Sequence, residues 1–172
     1  CIRDRFKISS LIGYEKDSPD MALAGLNALI DYNGHSHPSW VYPGVEQGED
    51  FFPSLMQEYC YAFFKIGTPH CFDAFKELSE KMLAYYPGNT VYMTNLGSYY
   101  LVYKHDSKTA LKMYNKVLKK SPDDYTAIKN CVLLARSDRN TKLERKYLPM
   151  LIRVTPDETE KASAQARLDA LK

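Results

Sequence analysis

Apolar residues in the second half of the chain recur at helical spacing. In residues 107–120 the apolar stripe consists of Ala110, Tyr114, Val117 and Leu118. Side chains three or four positions apart share one face of an α-helix, so this segment predicts a helix with one buried face. Residues 123–136 show the same periodicity. No stretch alternates apolar and polar residues with a period of two, so the pattern predicts helices and no strands.

Four Ser/Thr-Pro pairs mark predicted helix starts, because a hydroxyl can cap a helix and proline is tolerated in the first turn. The pairs are Ser18-Pro19, Thr68-Pro69, Ser121-Pro122 and Thr155-Pro156. Glu158 follows Thr155 by three residues and predicts a capping box. Stripes and starts together predict helices over 19–32, 52–66, 69–86, 90–104, 107–120, 123–136, 140–154 and 156–171. Apart from the long loop 33–50, the predicted connections are only a few residues long. Helices joined by such short connections are antiparallel neighbours.

Prolines also recur at a long period, since Pro87, Pro122 and Pro156 are 35 and 34 residues apart. Such a period is typical of arrays of helix pairs. Within segment 90–122 the residues that carry a known repeat signature are Leu96, Gly97, Tyr100, Ala110, Tyr114, Val117, Leu118 and Pro122. This segment resembles the tetratricopeptide repeat (TPR) family, whose unit is about 34 residues long.

Two flanking segments resemble the same family in degenerate form. Segment 125–156 has Val132 at the position of the glycine and Glu144 at the position of the alanine, and Pro149 lies inside its second helix. Segment 53–87 has a longer turn around Gly67. One good repeat is therefore flanked by two degenerate ones.

The resemblance implies an all-α fold, a right-handed stack of antiparallel helical hairpins that forms an α-solenoid. We expect one domain over 1–172. Residues 1–50 would form irregular helices and a loop, residues 51–156 three TPR-like hairpins, and residues 157–172 a capping helix that covers the last apolar face.

The resemblance also implies a concave groove lined by the first helix of each pair. The predicted peptide-binding residues are Val91, Thr94, Asn95, Ser98, Leu101, Lys129, Asn130, Leu133 and Arg136. Amide side chains such as Asn95 can hydrogen-bond a peptide backbone, and Lys129 and Arg136 can hold a carboxylate. We therefore expect a protein-protein interaction or scaffold module that binds a segment of a partner protein, without catalysis and without a cofactor.

Other chemistry has weaker sequence support. Loop 33–50 contains His35, His37 and the only tryptophan, Trp40. An enzyme or metal site on this loop is an alternative, but no third metal ligand is placed by sequence. Lys108, Lys112 and Lys116 lie opposite the apolar stripe of their own helix, so they predict a solvated face rather than a nucleic-acid interface.

Composition and charge leave the compartment open. The chain has 172 residues and a net charge of +2, with an acidic front and a basic back. Its four cysteines show no regular spacing that would indicate a disulfide framework or a zinc knuckle. The first residue, Cys1, suggests a second reading, an accessory lipoprotein of a bacterial envelope assembly, lipidated at that thiol. The expected location is then periplasmic or outer-membrane, and otherwise cytoplasmic.

Overall fold

The computed structural model describes residues 19–36 and 52–171. Cys1 and the part of the predicted loop that contains His37 and Trp40 lie outside the described residues. Residues 33–36, predicted as the start of that loop, instead continue the preceding helix, which ends at Ser36. The helix therefore runs four residues beyond its predicted end.

The described residues are all-helical and contain no strand, which confirms the predicted fold class. Their helices are α1 Asp20–Ser36, α2 Phe52–Ile66, α3 Pro69–Tyr85, α4 Thr90–Val102, α5 Ser107–Lys120, α6 Tyr125–Ser137, α7 Thr141–Val154 and α8 Glu158–Asp169. From α2 onward the connections have between two and four residues. None of the described helices is long and apolar enough to span a bilayer.

The chain divides into two compact units at Asn95, inside α4. In unit 1, α3 packs against both α1 and α2. Its core is apolar and includes Leu26, Met56, Cys60, Phe63, Phe75 and Leu78. The predicted start at Thr68-Pro69 is confirmed, because the Thr68 hydroxyl accepts a hydrogen bond from the Cys71 amide at 3.3 Å.

In unit 2, which begins at Leu96, consecutive helices from α5 to α8 pack against one another. The buried apolar faces that meet include Ala110, Tyr114, Val117, Ile128, Cys131, Leu134, Tyr147, Leu148 and Leu151. Ala110, Tyr114 and Val117 belong to the stripe predicted for residues 107–120. Leu118, the fourth member of that stripe, is only half-buried. Within this unit Gly97 of α4 lies directly against the buried ring of Tyr114 in α5.

The turns of unit 2 repeat one geometry at a spacing of 34 residues. His105 precedes α5 with a φ of 52°, and Arg139 precedes α7 with a φ of 51°. The next residue is the N-cap in both cases: Asp106 accepts from the Thr109 amide and Asn140 from the Leu143 amide. Two helix pairs are thus joined by the same backbone device, which gives the unit a repeat-like construction.

Two predicted helix starts are wrong by two or three residues. Ser121 ends α5, since its amide donates to the Val117 carbonyl, and Asp124 caps α6 by accepting from the Ala127 amide at 2.8 Å. In the same way Thr155 ends α7 and Asp157 caps α8. In both cases the N-cap is an aspartate that follows the proline by one or two residues.

The predicted capping box at Thr155 is therefore absent. The Thr155 hydroxyl instead donates to Glu160 at 2.6 Å and accepts from the Asp157 amide at 3.3 Å. Glu158, the expected partner, lies in the first turn of α8 and pairs with Lys161. A second acid, Glu160, holds the hydroxyl that the capping box would have used.

Candidate functional site

The nine predicted groove residues are divided between the two units. Val91, Thr94 and Asn95 belong to unit 1, and the other six belong to unit 2. Val91 is 45% exposed, whereas Thr94 and Asn95 are only 7% and 8% exposed. Both side chains are therefore buried within unit 1, unlike Val91.

Asn95 is part of an internal hydrogen-bond network rather than a free amide. Its nitrogen donates to Gln57 at 2.7 Å and to the Ser79 hydroxyl at 3.3 Å, and its oxygen accepts from Gln57 at 3.1 Å. A buried amide needs such partners, because an unpaired one would lose its hydrogen bonds with water. We correct the prediction here: Thr94 and Asn95 are core-facing residues and are left out of the binding surface.

Ser98 and Leu101 follow in α4 and are both half-buried. The Ser98 hydroxyl shares a hydrogen bond with the Tyr114 hydroxyl at 3.4 Å. Burial raises the pKa of Tyr114 to about 12, and the hydrogen bond with Ser98 opposes that rise. This pair joins α4 to α5 and offers little to a ligand.

Lys129 of α6 is held by two internal partners. Its ammonium lies 2.8 Å from the Glu160 carboxylate of α8 and donates to the Tyr125 hydroxyl at 2.9 Å. The hydrogen bonds with Glu160 and Tyr125 raise the pKa of Lys129 above its ordinary value. Lys129 therefore carries a paired charge, although its side chain is still 41% exposed.

Leu133 and Arg136 are exposed on the same face of α6, and Asn130 is half-buried. A cleft of about 170 Å³ opens here between α6, α7 and α8. Its lining consists of Lys129, Val132, Leu133, Arg136, Leu151, Glu160, Ser163 and Ala164. The structure thus brings three of the predicted residues, Lys129, Leu133 and Arg136, to one cleft.

A larger cleft of about 600 Å³ adjoins the first and shares Arg136 and Ser163 with it. Its lining consists of Arg136, Arg139, Thr141, Glu144, Ser163 and Arg167. The resemblance predicts binding residues only on the first helix of each helix pair. It therefore misses Arg139 in a turn, Thr141 and Glu144 in α7, and Ser163 and Arg167 in the capping helix. The sequence does contain one sign of this positive cleft. Residues 104–153 hold 13 Lys and Arg against 5 Asp and Glu.

Glu144 is a carboxylate that is only 1% exposed, and Arg167 neutralises it. The Arg167 guanidinium donates to both carboxylate oxygens, at 2.7 Å and 2.9 Å. The hydrogen bonds from Arg167 lower the pKa of Glu144 below its ordinary value, against the opposing effect of burial. A buried charge is tolerated only with such a partner, so α8 is bound to α7 through this pair.

The other candidate chemistry concerns metal ligands and thiols among the side chains described in residues 19–31 and 52–171. No group of three or more His, Cys, Asp or Glu side chains is placed there to hold a metal ion. Cys71, next to His70 at the start of α3, is fully buried. Burial raises the pKa of Cys60 and of Cys131 to about 12, which keeps both thiols protonated.

No family model matches this chain, and no match was found among curated proteins or solved structures. Two features stand out in unit 2: an exposed leucine beside a cleft with an apolar floor, and an adjoining cleft rich in arginine.

Proposed function

We propose that the protein is a binding module of TPR-like repeats whose second unit holds a segment of a partner protein along the face of α6 and α8. Binding would rest on shape, one apolar contact and charge, without bond-making chemistry. The 34-residue recurrence of turns and caps in unit 2 supports the family assignment.

The observation that carries the proposal is the placement of Leu133. This side chain is 48% exposed and borders the smaller cleft, whose floor is formed by the buried side chains of Val132, Leu151 and Ala164. A single exposed leucine is ordinary on protein surfaces. An exposed leucine at the rim of an apolar depression, however, offers an incoming apolar side chain contact on two sides.

Charge next to the cleft specifies the neighbouring residue of the partner. Arg136 lines both clefts, and its side chain is 39% exposed. Guanidinium groups bind carboxylates through paired hydrogen bonds. We therefore expect the bound segment to carry an apolar side chain next to an acidic group.

Selection from a displayed random-peptide library against the intact protein tests this proposal. The selected peptides should share an apolar residue adjacent to aspartate or glutamate. Fluorescence anisotropy with the best peptide should show that Leu133→Ser weakens affinity about five- to thirtyfold, since truncation of a central apolar contact costs about 1–2 kcal/mol. Because Leu133 is exposed, this substitution should leave the circular dichroism spectrum unchanged.

Met21→Ser is the matched control. Met21 is an exposed apolar residue, 65% accessible, on α1 in unit 1. Its substitution removes comparable apolar surface without touching the cleft, so affinity should stay the same. Equal affinity of the wild-type protein and Leu133→Ser would refute the proposed surface.

A further inference from the structure

The larger cleft of unit 2 is lined by more positive charge than its own residues neutralise. Three guanidinium groups, from Arg136, Arg139 and Arg167, face one carboxylate, that of Glu144. Two lysines of the same helices, α6 and α8, are paired: Lys129 lies against Glu160, and Lys161 against Glu158. The cleft thus carries two positive charges in excess.

The hydrogen bonds within the cleft show which cations are already used. Arg167 engages both oxygens of Glu144. Arg136 lies 3.9 Å from the same carboxylate, which is too far for a hydrogen bond. Among the described residues neither Arg136 nor Arg139 makes a side-chain hydrogen bond. Two guanidinium groups therefore have donors available to a ligand.

Neighbouring polar groups add donors of the right kind. The hydroxyls of Thr141 and Ser163 also line the cleft. The carboxylate of Asp138, next to Arg139 in the chain, accepts a hydrogen bond from the Ser107 hydroxyl and does not line the cleft. A ligand that fits must accept several hydrogen bonds and carry about two negative charges.

We infer that this cleft binds a phosphate dianion, either as the free ion or as a phosphate monoester, between Arg136, Arg139 and the hydroxyls of Thr141 and Ser163. A monoester carries nearly two negative charges at neutral pH and presents three acceptor oxygens. A carboxylate carries one charge and would leave the cleft positive. The site goes beyond the proposed function, because a small anion can bind here without any polypeptide.

Isothermal titration calorimetry of the intact protein tests the inference with three probes at equal ionic strength: inorganic phosphate, phosphoserine and acetate. At a pH above the second phosphate pKa of about 6, both phosphates should bind and acetate should bind about tenfold more weakly. Binding of inorganic phosphate alone would assign the site to the free ion, and binding of both would include the ester. No binding of either phosphate, or equal binding of acetate, would overturn the inference.

Arg139→Gln should weaken phosphate binding about tenfold or more, because hydrogen bonds to charged groups are the strong ones. Arg139→Lys keeps the positive charge but loses the planar guanidinium group with its paired donors. Its affinity for phosphate should therefore lie between those of the wild-type protein and Arg139→Gln. The charge-matched control is Arg153→Gln, which removes an exposed arginine that pairs with Asp123 on the surface. Equal losses in Arg139→Gln and Arg153→Gln would mean general electrostatic attraction and would refute a defined site.

The same variants separate this inference from the proposed function. Leu133→Ser should leave phosphate affinity unchanged, since Leu133 does not line the larger cleft. Phosphate binding without peptide selection would refute the proposed function alone. Peptide binding through Leu133 with no affinity for phosphate would refute the phosphate site alone.

Discussion

At Gly97 the packing of unit 2 leaves no room for a side chain. A Cβ atom at this position would lie 2.4 Å from one ring carbon of Tyr114 and 2.8 Å and 2.9 Å from two others. The ring is fully buried and cannot move aside freely. Glycine is therefore required here by close approach and not by backbone conformation.

Gly97→Ala should lower the free energy of unfolding by about 1–3 kcal/mol, the usual cost of overpacking a core. Urea denaturation measures this loss. Gly25→Ala is the control, because a Cβ at Gly25 meets nothing within 4 Å and alanine favours the helix. Its stability should be equal to or above that of the wild-type protein. A loss in Gly25→Ala as large as that in Gly97→Ala would contradict the packing argument.

Glu144→Gln should destabilise the protein at neutral pH by about 1–2 kcal/mol, because charge-assisted hydrogen bonds to Arg167 are replaced by neutral ones. The figure is modest since the Arg167 side chain is 42% exposed. Arg167 holds the pKa of Glu144 below its ordinary value of 4.5 in the folded protein. The extra stability of the wild-type protein is thus complete above that value and is lost as the pH falls through the lowered pKa.

Urea denaturation from neutral pH down to about pH 3 checks this dependence. The stability difference between the wild-type protein and Glu144→Gln should stay constant near neutrality and shrink below pH 4.5. A difference that is independent of pH would show that Glu144 is not ionised and paired as described.

Sequence could predict some of these residues and not others. Gly97 belongs to the repeat signature by sequence alone, and the structure shows the buried Tyr114 ring lying directly against it. The burial of Asn95 could not be predicted, because its partners Gln57 and Ser79 lie 38 and 16 residues away. Glu144 stands where the resembled repeat has alanine, and only the fold brings Arg167 to it.

At the scale of elements, the turns before α5 and α7 hold ordinary residues in the left-handed region. His105 has a φ of 52°, a conformation that glycine adopts without the steric cost that other residues meet. His105→Gly should therefore leave stability unchanged or raise it by up to about 1 kcal/mol, despite the greater freedom of the unfolded chain.

Gly67→Ala is the opposite test, because Gly67 has a φ of 71° in the turn between α2 and α3. It should destabilise unit 1 by about 1 kcal/mol or more. Thermal denaturation of both variants measures the effects. A marked loss in His105→Gly would show that the imidazole, and not the backbone conformation, stabilises that turn.

Helix positions were predictable to within a few residues because apolar stripes fix each buried face. The bounds of α2 and α5 agree with the prediction at both ends. Caps were less predictable where several acceptors compete, as in Ser121-Pro122-Asp123-Asp124, since a hydroxyl and two carboxylates can each cap a helix. Folding favours Asp124, which leaves Ser121 to end α5.

At the scale of the whole molecule, the binding surface depends on which helices share a face. Leu133 and Arg136, which were predicted to line the groove, are exposed on α6, and their binding to a peptide stays a prediction. The predicted groove contained no residue of α8, which adds Ser163 to both clefts and Arg167 to the larger one. The proposed surface thus combines side chains of α6 with side chains of α8.

The central claim is that a partner segment binds along α6 and α8 of unit 2. Nuclear magnetic resonance of the isotope-labelled protein, titrated with a library-selected peptide, tests this claim most directly. Chemical-shift changes should concentrate on the Leu133 methyl groups, the Arg136 side chain and the amides of α6 and α8. Changes confined to unit 1, or to the exposed lysine face of α5, would contradict the account.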